Sequence, residues 1–238
     1  MSKRIHGVSG WSQFKALLAK DLRQEVRTRE MLTSMVVYAL LVLTIYGAAL
    51  AQVGDILQVE SLAGGLLWAL IIFTSLLGLA RSFARETESG CLEAILLAPV
   101  DRGVIFFAKA VSNLIFLVLV ECLVLPLFFL FFLSGAEIAA TTPMIALPLL
   151  VGTVGVAGVG TLLSTMTIDT RGRDVLLAIL FIPVVFPLLY ACVGATTVAF
   201  VGVEGTMGTY WTSLALAGAY DVIMVAAAWG LYEFVVDA

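Results

Sequence analysis

The sequence predicts an all-α membrane protein with six transmembrane helices and little mass outside the bilayer. Of its 238 residues, 61% are hydrophobic and 13% are charged, whereas about a quarter of the residues in a soluble domain are charged. The mean hydropathy is +1.09, and the apolar residues form segments near the length of about 20 residues that one membrane-spanning helix needs. A soluble globule could not cover this apolar surface, so residues 1–238 are predicted to form a single transmembrane domain.

The N-terminal region, residues 1–30, contains the pattern of a basic amphipathic helix. Its apolar residues recur at helical intervals: Trp11, Phe14, Leu17, Leu18, Leu22 and Val26. Basic side chains alternate with them, which is typical of a helix that lies in the headgroup plane with its apolar face towards the lipid. Packing against a soluble partner is the alternative, but the direct continuation into a span favours the membrane interface.

Six apolar segments are predicted to span the bilayer. They cover residues 31–51, 62–80, 104–133, 143–166, 175–195 and 211–236. The third and sixth exceed the hydrocarbon thickness and are expected to tilt, kink or project. Pro183 and Pro187 are predicted to bend or break the fifth, because each lacks an amide donor and collides with the preceding turn. In the fourth, Gly152, Gly155 and Gly158 predict close packing on a neighbouring helix.

The distribution of charge predicts the orientation. All 13 Lys and Arg residues lie in 1–30, around the second connection, or after the fourth span. The other connections, 52–61, 134–142 and 196–210, contain only acidic residues as charged groups. Because cytoplasmic loops carry the excess of Lys and Arg, both termini are predicted to be cytoplasmic.

The cytoplasmic connection between the second and third spans, residues 85–103, is predicted to contain a short amphipathic helix at about 86–98. Leu92, Ile95 and Leu96 fall on one face of it, and Pro99 ends it. A helix on an anionic membrane surface would carry Lys and Arg. The acidic residues of this segment, Glu86, Glu88, Glu93 and Asp101, therefore favour a protein partner over the membrane, with an ordinary solvated loop as the alternative.

Three ionisable residues fall inside predicted spans. Lys109 lies about one turn into the third span and is expected to snorkel to the cytoplasmic surface. Glu121 lies roughly 25 Å along the same helix at 1.5 Å per residue, and Asp221 lies near the middle of the sixth span. A carboxylate at such depth costs several kcal/mol. Each acid is therefore expected to be protonated, hydrogen-bonded to a neighbouring helix or turned to another subunit, and a substrate or proton path remains open.

The sequence lacks the motifs of enzymes and of ATP-binding proteins. It contains no HExxH, GxSxG or GxxxxGK[ST] pattern, and its three cysteines and single histidine, His6, are isolated. We therefore predict no catalytic residue, metal site, bound cofactor or nucleic-acid partner for this chain. Any ATP-driven work is expected to come from a separate subunit.

Two segments carry a resemblance to a known family. ARSFARETESGCLEAILLAPVDRGVIFFAKAVSN, residues 80–113, and FIPVVFPLLY, residues 181–190, resemble the haem exporter protein B (CcmB) family. The predicted architecture, with an amphipathic N-terminal helix, six spans and a short cytoplasmic helix, looks like a type-two ABC exporter permease.

The resemblance implies a non-catalytic permease subunit of the cytochrome c maturation complex in a bacterial inner (cytoplasmic) membrane. It implies two copies of the chain, a CcmA-like ATPase that binds ATP and Mg²⁺, and CcmC-, CcmD- and CcmE-like partners that handle haem. By position, the coupling helix seated on the ATPase would contain Glu86, Glu88, Leu92, Glu93, Ile95, Leu96 and Pro99. A type-two permease for a lipid, drug or glycan is the alternative, and a proton-coupled carrier using Glu121 and Asp221 is a third possibility.

Overall fold

The structure, a computed structural model, describes residues 9–51, 56–88, 101–132, 138–167, 170, 172–201 and 206–236. Within these ranges the regular structure is helical throughout. The helices are α1 (Gly10–Thr28), α2 (Glu30–Leu50), α3 (Ile56–Glu88), α4 (Arg102–Phe132), α5 (Ile138–Met166), α6 (Arg173–Val201) and α7 (Met207–Val236). By length and composition, α2 to α7 can each cross a bilayer, which confirms the six predicted spans.

The helix α5 lies at the centre of the bundle. In the most apolar 18-residue stretch of each helix, 72% of the residues are buried in α5 and 17% in α7. The helices α2, α3, α6, α7 and α4 follow one another around it, each in contact with the next. Four of them contact α5 directly, and α2 packs on α3 and α4.

The glycines of α5 allow this central position, but they do not form one face for one neighbour. A methyl group on Gly152 would overlap the ring of Trp68 in α3, and one on Gly155 would overlap the carboxylate of Asp221 in α7. A methyl group on Gly160 would overlap Leu79 of α3. The predicted close packing is therefore present, and it is spread over several helices because α5 is surrounded.

Of the expectation that Pro183 and Pro187 bend or break the fifth span, the break is wrong. The helix α6 runs without interruption from Arg173 to Val201 and contains both prolines. Prolines are tolerated in a spanning helix when neighbouring helices bond to the backbone groups that the prolines leave open. The hydroxyl of Tyr220 in α7 donates a hydrogen bond of 2.6 Å to the carbonyl of Val184, between the two prolines, although the carbonyls whose helical donors the prolines remove are those of Ile179 and Pro183, four residues earlier.

In α5, a neighbouring helix does supply the donor that a proline removes. Pro148 has no amide hydrogen, so the carbonyl of Met144, four residues earlier, lacks its helical donor. The hydroxyl of Tyr210 in α7 donates to that carbonyl at 2.9 Å. A tyrosine of α7 thus takes the place of the missing amide, and α5 continues from Ile138 to Met166.

Candidate functional site

The predicted coupling segment is described only at its two ends. The helix α3 continues to Glu88, so the backbone of Glu86 and Glu88 belongs to the end of this long helix, and a separate helix does not begin at 86. The other predicted coupling residues, Leu92, Glu93, Ile95, Leu96 and Pro99, lie outside the described residues. At the far end, the carboxylate of Asp101 accepts a 2.7 Å hydrogen bond from the amide of Gly103 and caps the start of α4.

Lys109 is held inside the protein. Its ammonium lies 3.1 Å from the carboxylate of Asp21 in α1, and the two side chains are 7% and 9% exposed. Lys20 also lies 3.0 Å from Asp21, and the hydroxyl of Ser112 lies 3.2 Å from it. The expectation that Lys109 snorkels to the surface is wrong, because an acid from the N-terminal helix reaches it within the bundle.

The N-terminal helix is joined to the first span by a tight turn at Arg29, whose φ is 55°. The carboxylate of Glu25, which is 2% exposed, accepts a 2.9 Å hydrogen bond from the amide of Leu32 in the first turn of α2. An acid at this place satisfies an amide that has no partner within the helix and complements the helix dipole. The predicted helix is present as α1, and its position in the headgroup plane stays a prediction.

Glu121 lies in the interior, on the face of α4 that packs against α5. The residue is 9% exposed, and its Oε1 lies 2.6 Å from the hydroxyl of Thr153. Farther along the same helix pair, the amide of Asn113 donates a 3.0 Å hydrogen bond to the hydroxyl of Thr161. Glu121 lies eight residues after Asn113 on α4, and Thr153 lies eight residues before Thr161 on α5, so the two contacts have the same spacing on both helices. The interface between α4 and α5 therefore contains two polar contacts about 12 Å apart.

Asp221 lies against the opposite side of α5. It is 8% exposed, it contacts Gly155, and within the described part of the chain its Oδ1 has no hydrogen-bond partner. Because successive residues turn by about 100° around a helix, Thr153 and Gly155 point to opposite sides of α5. Glu121 and Asp221 thus flank the central helix at nearly the same depth.

The groups that could ligate a metal are dispersed. Within the described ranges, no three His, Cys, Asp or Glu side chains come together. Cys122 is exposed and Cys192 is buried, both as free thiols, while Cys91 and His6 lie outside the described residues.

Comparison with known proteins gives the family. A family model described as CcmB protein matches residues 12–231. The chain belongs to the CcmB family. The match extends from within α1 to within α7, so it reaches all six candidate spans.

Curated relatives agree with this membership. The heme exporter protein B of Pseudomonas aeruginosa is 28% identical over 218 residues, which cover 92% of this chain and 96% of the relative. The heme exporter protein B of Rhodobacter capsulatus is 29% identical over 175 residues, which cover 74% of this chain and 78% of the relative. The protein of that name from Paracoccus denitrificans is 29% identical over 176 residues, with the same coverage.

Several polar contacts of this CcmB chain were not foreseen from sequence. The sequence gives no direct indication of the roles of Asp21, Thr153 and Tyr210, since each residue type is common in a segment of its kind. One signal was available for Asp21, because it is an acid in a largely basic amphipathic helix and Lys109 is a base in an otherwise apolar span. The partners of Glu121 and Met144 depend on which helices are neighbours, and no spacing in the sequence reports that.

Proposed function

We propose that the chain is the membrane permease subunit of an ABC transporter-type complex for cytochrome c maturation. The observation that carries the proposal is the match to the CcmB model over residues 12–231, in a chain with six candidate spans. Relatives that align over most of their length are named heme exporter protein B. The complex would export haem or release the haem-loaded chaperone.

The energy for this work comes from a partner, since the sequence contains no phosphate-binding loop. A CcmA-like ATPase binds ATP and Mg²⁺, and two copies of it close on nucleotide. The coupling segment, with Leu92 and Ile95 in a cleft of the ATPase and Glu86, Glu88 and Glu93 at its basic rim, passes that motion to the spans. The geometry around the segment supports this role, because α3 ends at Glu88 and α4 starts at Arg102, so a force on the segment acts on two spans.

The assembly proposed around this subunit contains two copies of the chain with CcmC-, CcmD- and CcmE-like proteins. The chain is non-catalytic and lies in a bacterial inner membrane with both termini in the cytoplasm. We assign haem handling to the partners. Haem iron is commonly held by His, Cys, Met or Tyr; the single histidine is His6, and the cysteines, methionines and tyrosines form no ligand motif in the sequence.

Co-purification of the ATPase with the full-length chain tests the coupling role. Leu92→Asp and Ile95→Asp place a charge on the predicted apolar face and are expected to abolish capture of the ATPase. Thr170→Asp is the matched control, since it adds the same charge to an exposed residue in the other predicted cytoplasmic connection and is expected to leave capture intact. Full capture by both apolar-face variants would contradict the proposal.

A proton-coupled carrier is the second candidate, and the buried acids Glu121 and Asp221 are the observation in its favour. It requires transport without an ATPase and loss of transport in Glu121→Gln or Asp221→Asn. The permease proposal expects ATP-dependent chaperone release in both variants. Release that survives both substitutions and fails without the ATPase decides for the permease.

A further inference from the structure

A recurring hydrogen-bond arrangement joins the helices of this bundle. In it, the hydroxyl of a threonine donates to the carbonyl four residues earlier and accepts a hydrogen bond from a neighbouring helix. Thr196 donates to Cys192 at 2.7 Å and accepts from the indole N–H of Trp68 at 2.9 Å. Thr161 donates to Ala157 at 2.6 Å and accepts from the amide of Asn113 at 3.0 Å. In both cases the neighbouring group supplies the hydrogen, because the threonine has already used its own.

Thr153 repeats the arrangement with a carboxyl group as the neighbour. Its hydroxyl lies 2.7 Å from the carbonyl of Leu149 and 2.6 Å from Oε1 of Glu121. A hydroxyl has one hydrogen to donate, and a backbone carbonyl has none. When Thr153 donates to Leu149, as Thr161 and Thr196 do to their carbonyls, the hydrogen of the second contact comes from Glu121, which is then a carboxylic acid.

The surroundings of Glu121 favour the neutral form. A cleft beside it, between α2, α3 and α4, is lined by no other charged or titratable side chain. On α5 it faces Thr153, and Asp221 lies on the far side of that helix. Asp21 differs in its charge balance. Its carboxylate also contacts a hydroxyl that donates within its own helix, that of Ser112 at 3.2 Å. The ammonium of Lys109 at 3.1 Å, however, balances the charge of this carboxylate.

The cleft also contains an open hydrogen-bonding position. Thr74 lines it together with Glu121, and Thr74 Oγ1 is buried without a partner among the residues that the structure describes. The cavity measures about 20 Å³, and a water molecule needs roughly 10–15 Å³ of such volume together with polar partners. The room and the polar groups therefore suit one water molecule.

We propose that Glu121 is a proton-binding site in the middle of the bundle, where the neutral acid donates a hydrogen bond to Thr153 and the adjoining cleft takes one water molecule beside Thr74. Retention of the proton then depends on the packing of α4 against α5. Separation of the two helices removes Thr153 from the acid and admits further water, which allows the proton to leave. The site belongs to the chain itself and does not depend on what the complex transports.

Infrared spectroscopy of the full-length chain in lipid nanodiscs tests the proposal at neutral pH. With ¹³C in the glutamate carboxyl groups, the wild type is expected to show the C=O band of a buried carboxylic acid, and Glu121→Gln is expected to lose it. Glu233→Gln, at an exposed position, and Asp221→Asn are the controls and are expected to retain the band. A spectrum with no acid band that depends on Glu121 overturns the proposal.

Two further variants test the partners. Thr153→Val keeps the shape of the side chain and removes the acceptor, so the acid band is expected to move to higher frequency. A band that stays in place shows that Glu121 does not donate to Thr153. Exchange into H₂¹⁸O is expected to shift a water O–H band in the wild type, and this shift is expected to be missing in Thr74→Val. Absence of such a band from the wild type overturns the assignment of the water.

Discussion

The ammonium of Lys109 in α4 lies 3.1 Å from the carboxylate of Asp21 in α1, and both side chains are almost fully buried. This ion pair ties the N-terminal helix to the first turns of the third span. The hydrogen bond from Leu32 to Glu25 ties the same helix to the first span. A displacement at the start of α4 would therefore act on α1 and α2 together.

Removal of the cation from this pair is predicted to destabilise the protein. Lys109→Met leaves the buried carboxylate of Asp21 without its buried cationic partner, and such a loss typically costs about 3–5 kcal/mol of stability. We expect the lower end of that range, because Lys20 remains 3.0 Å away. The measurement is thermal unfolding in detergent at neutral pH.

Two controls accompany Lys109→Met. The double variant Asp21→Leu with Lys109→Met removes both charges and is expected to recover most of the loss, since apolar residues of similar volume often replace a buried pair at little cost. Lys20→Met, at a more exposed position, is expected to change stability by at most about 1 kcal/mol. A double variant as unstable as the single one would mean that packing, and not the unpaired charge, is responsible.

The hydroxyl of Tyr210 is predicted to stabilise α5 because of Pro148. Tyr210→Phe removes the donor to the carbonyl of Met144 and is expected to cost about 0.6 kcal/mol and at most about 1.7 kcal/mol. In a Pro148→Ala background the helix regains its own amide donor, so the same substitution is expected to cost less. Equal losses in both backgrounds, measured by unfolding in detergent, would rule out this compensation, and Tyr190→Phe at a 74% exposed position serves as the control.

The glycines of the membrane helices are predicted to differ in their tolerance of alanine. In Gly152→Ala the new methyl group meets the ring of Trp68 and lies 3.0 Å from the sulfur of Cys192, and such overpacking costs about 1–3 kcal/mol. In Gly218→Ala nothing lies within 4 Å, and the gain in helix propensity is expected to leave stability unchanged or raised by up to about 1 kcal/mol. Comparison of the two unfolding temperatures tests this, and equal temperatures would contradict it.

The orientation in the membrane is predicted from basic residues alone and can be measured with single cysteines. In a background without Cys91, Cys122 and Cys192, an impermeant maleimide is expected to label Ala51→Cys in intact spheroplasts and to leave Thr170→Cys unlabelled. Both positions are exposed, and both are expected to react after permeabilisation. The reverse pattern would show that the termini lie outside.

The six spans could be predicted because each is a long apolar run with at most two Asp, Glu, Lys or Arg residues in its interior. Their limits were less accurate: α6 continues to Val201 and α7 begins at Met207, since a helix does not end where its hydropathy falls. Pro183 and Pro187 do not end α6, because the effect of a proline on a spanning helix depends on the neighbouring helices around it. The roles of Leu92 and Ile95 stay predictions.

The sequence by itself determined that this chain is a membrane protein with six spanning helices, and it predicted the sidedness of the connections. Transfer into a bilayer depends on contributions that add along each segment, so composition counted along the chain is sufficient. Only the tertiary structure decided which polar groups meet: Asp21 with Lys109, Glu121 with Thr153, and Tyr210 with the carbonyl of Met144. Those contacts depend on which helices are neighbours and on their rotation, and in an apolar bundle most faces of a helix look alike in sequence.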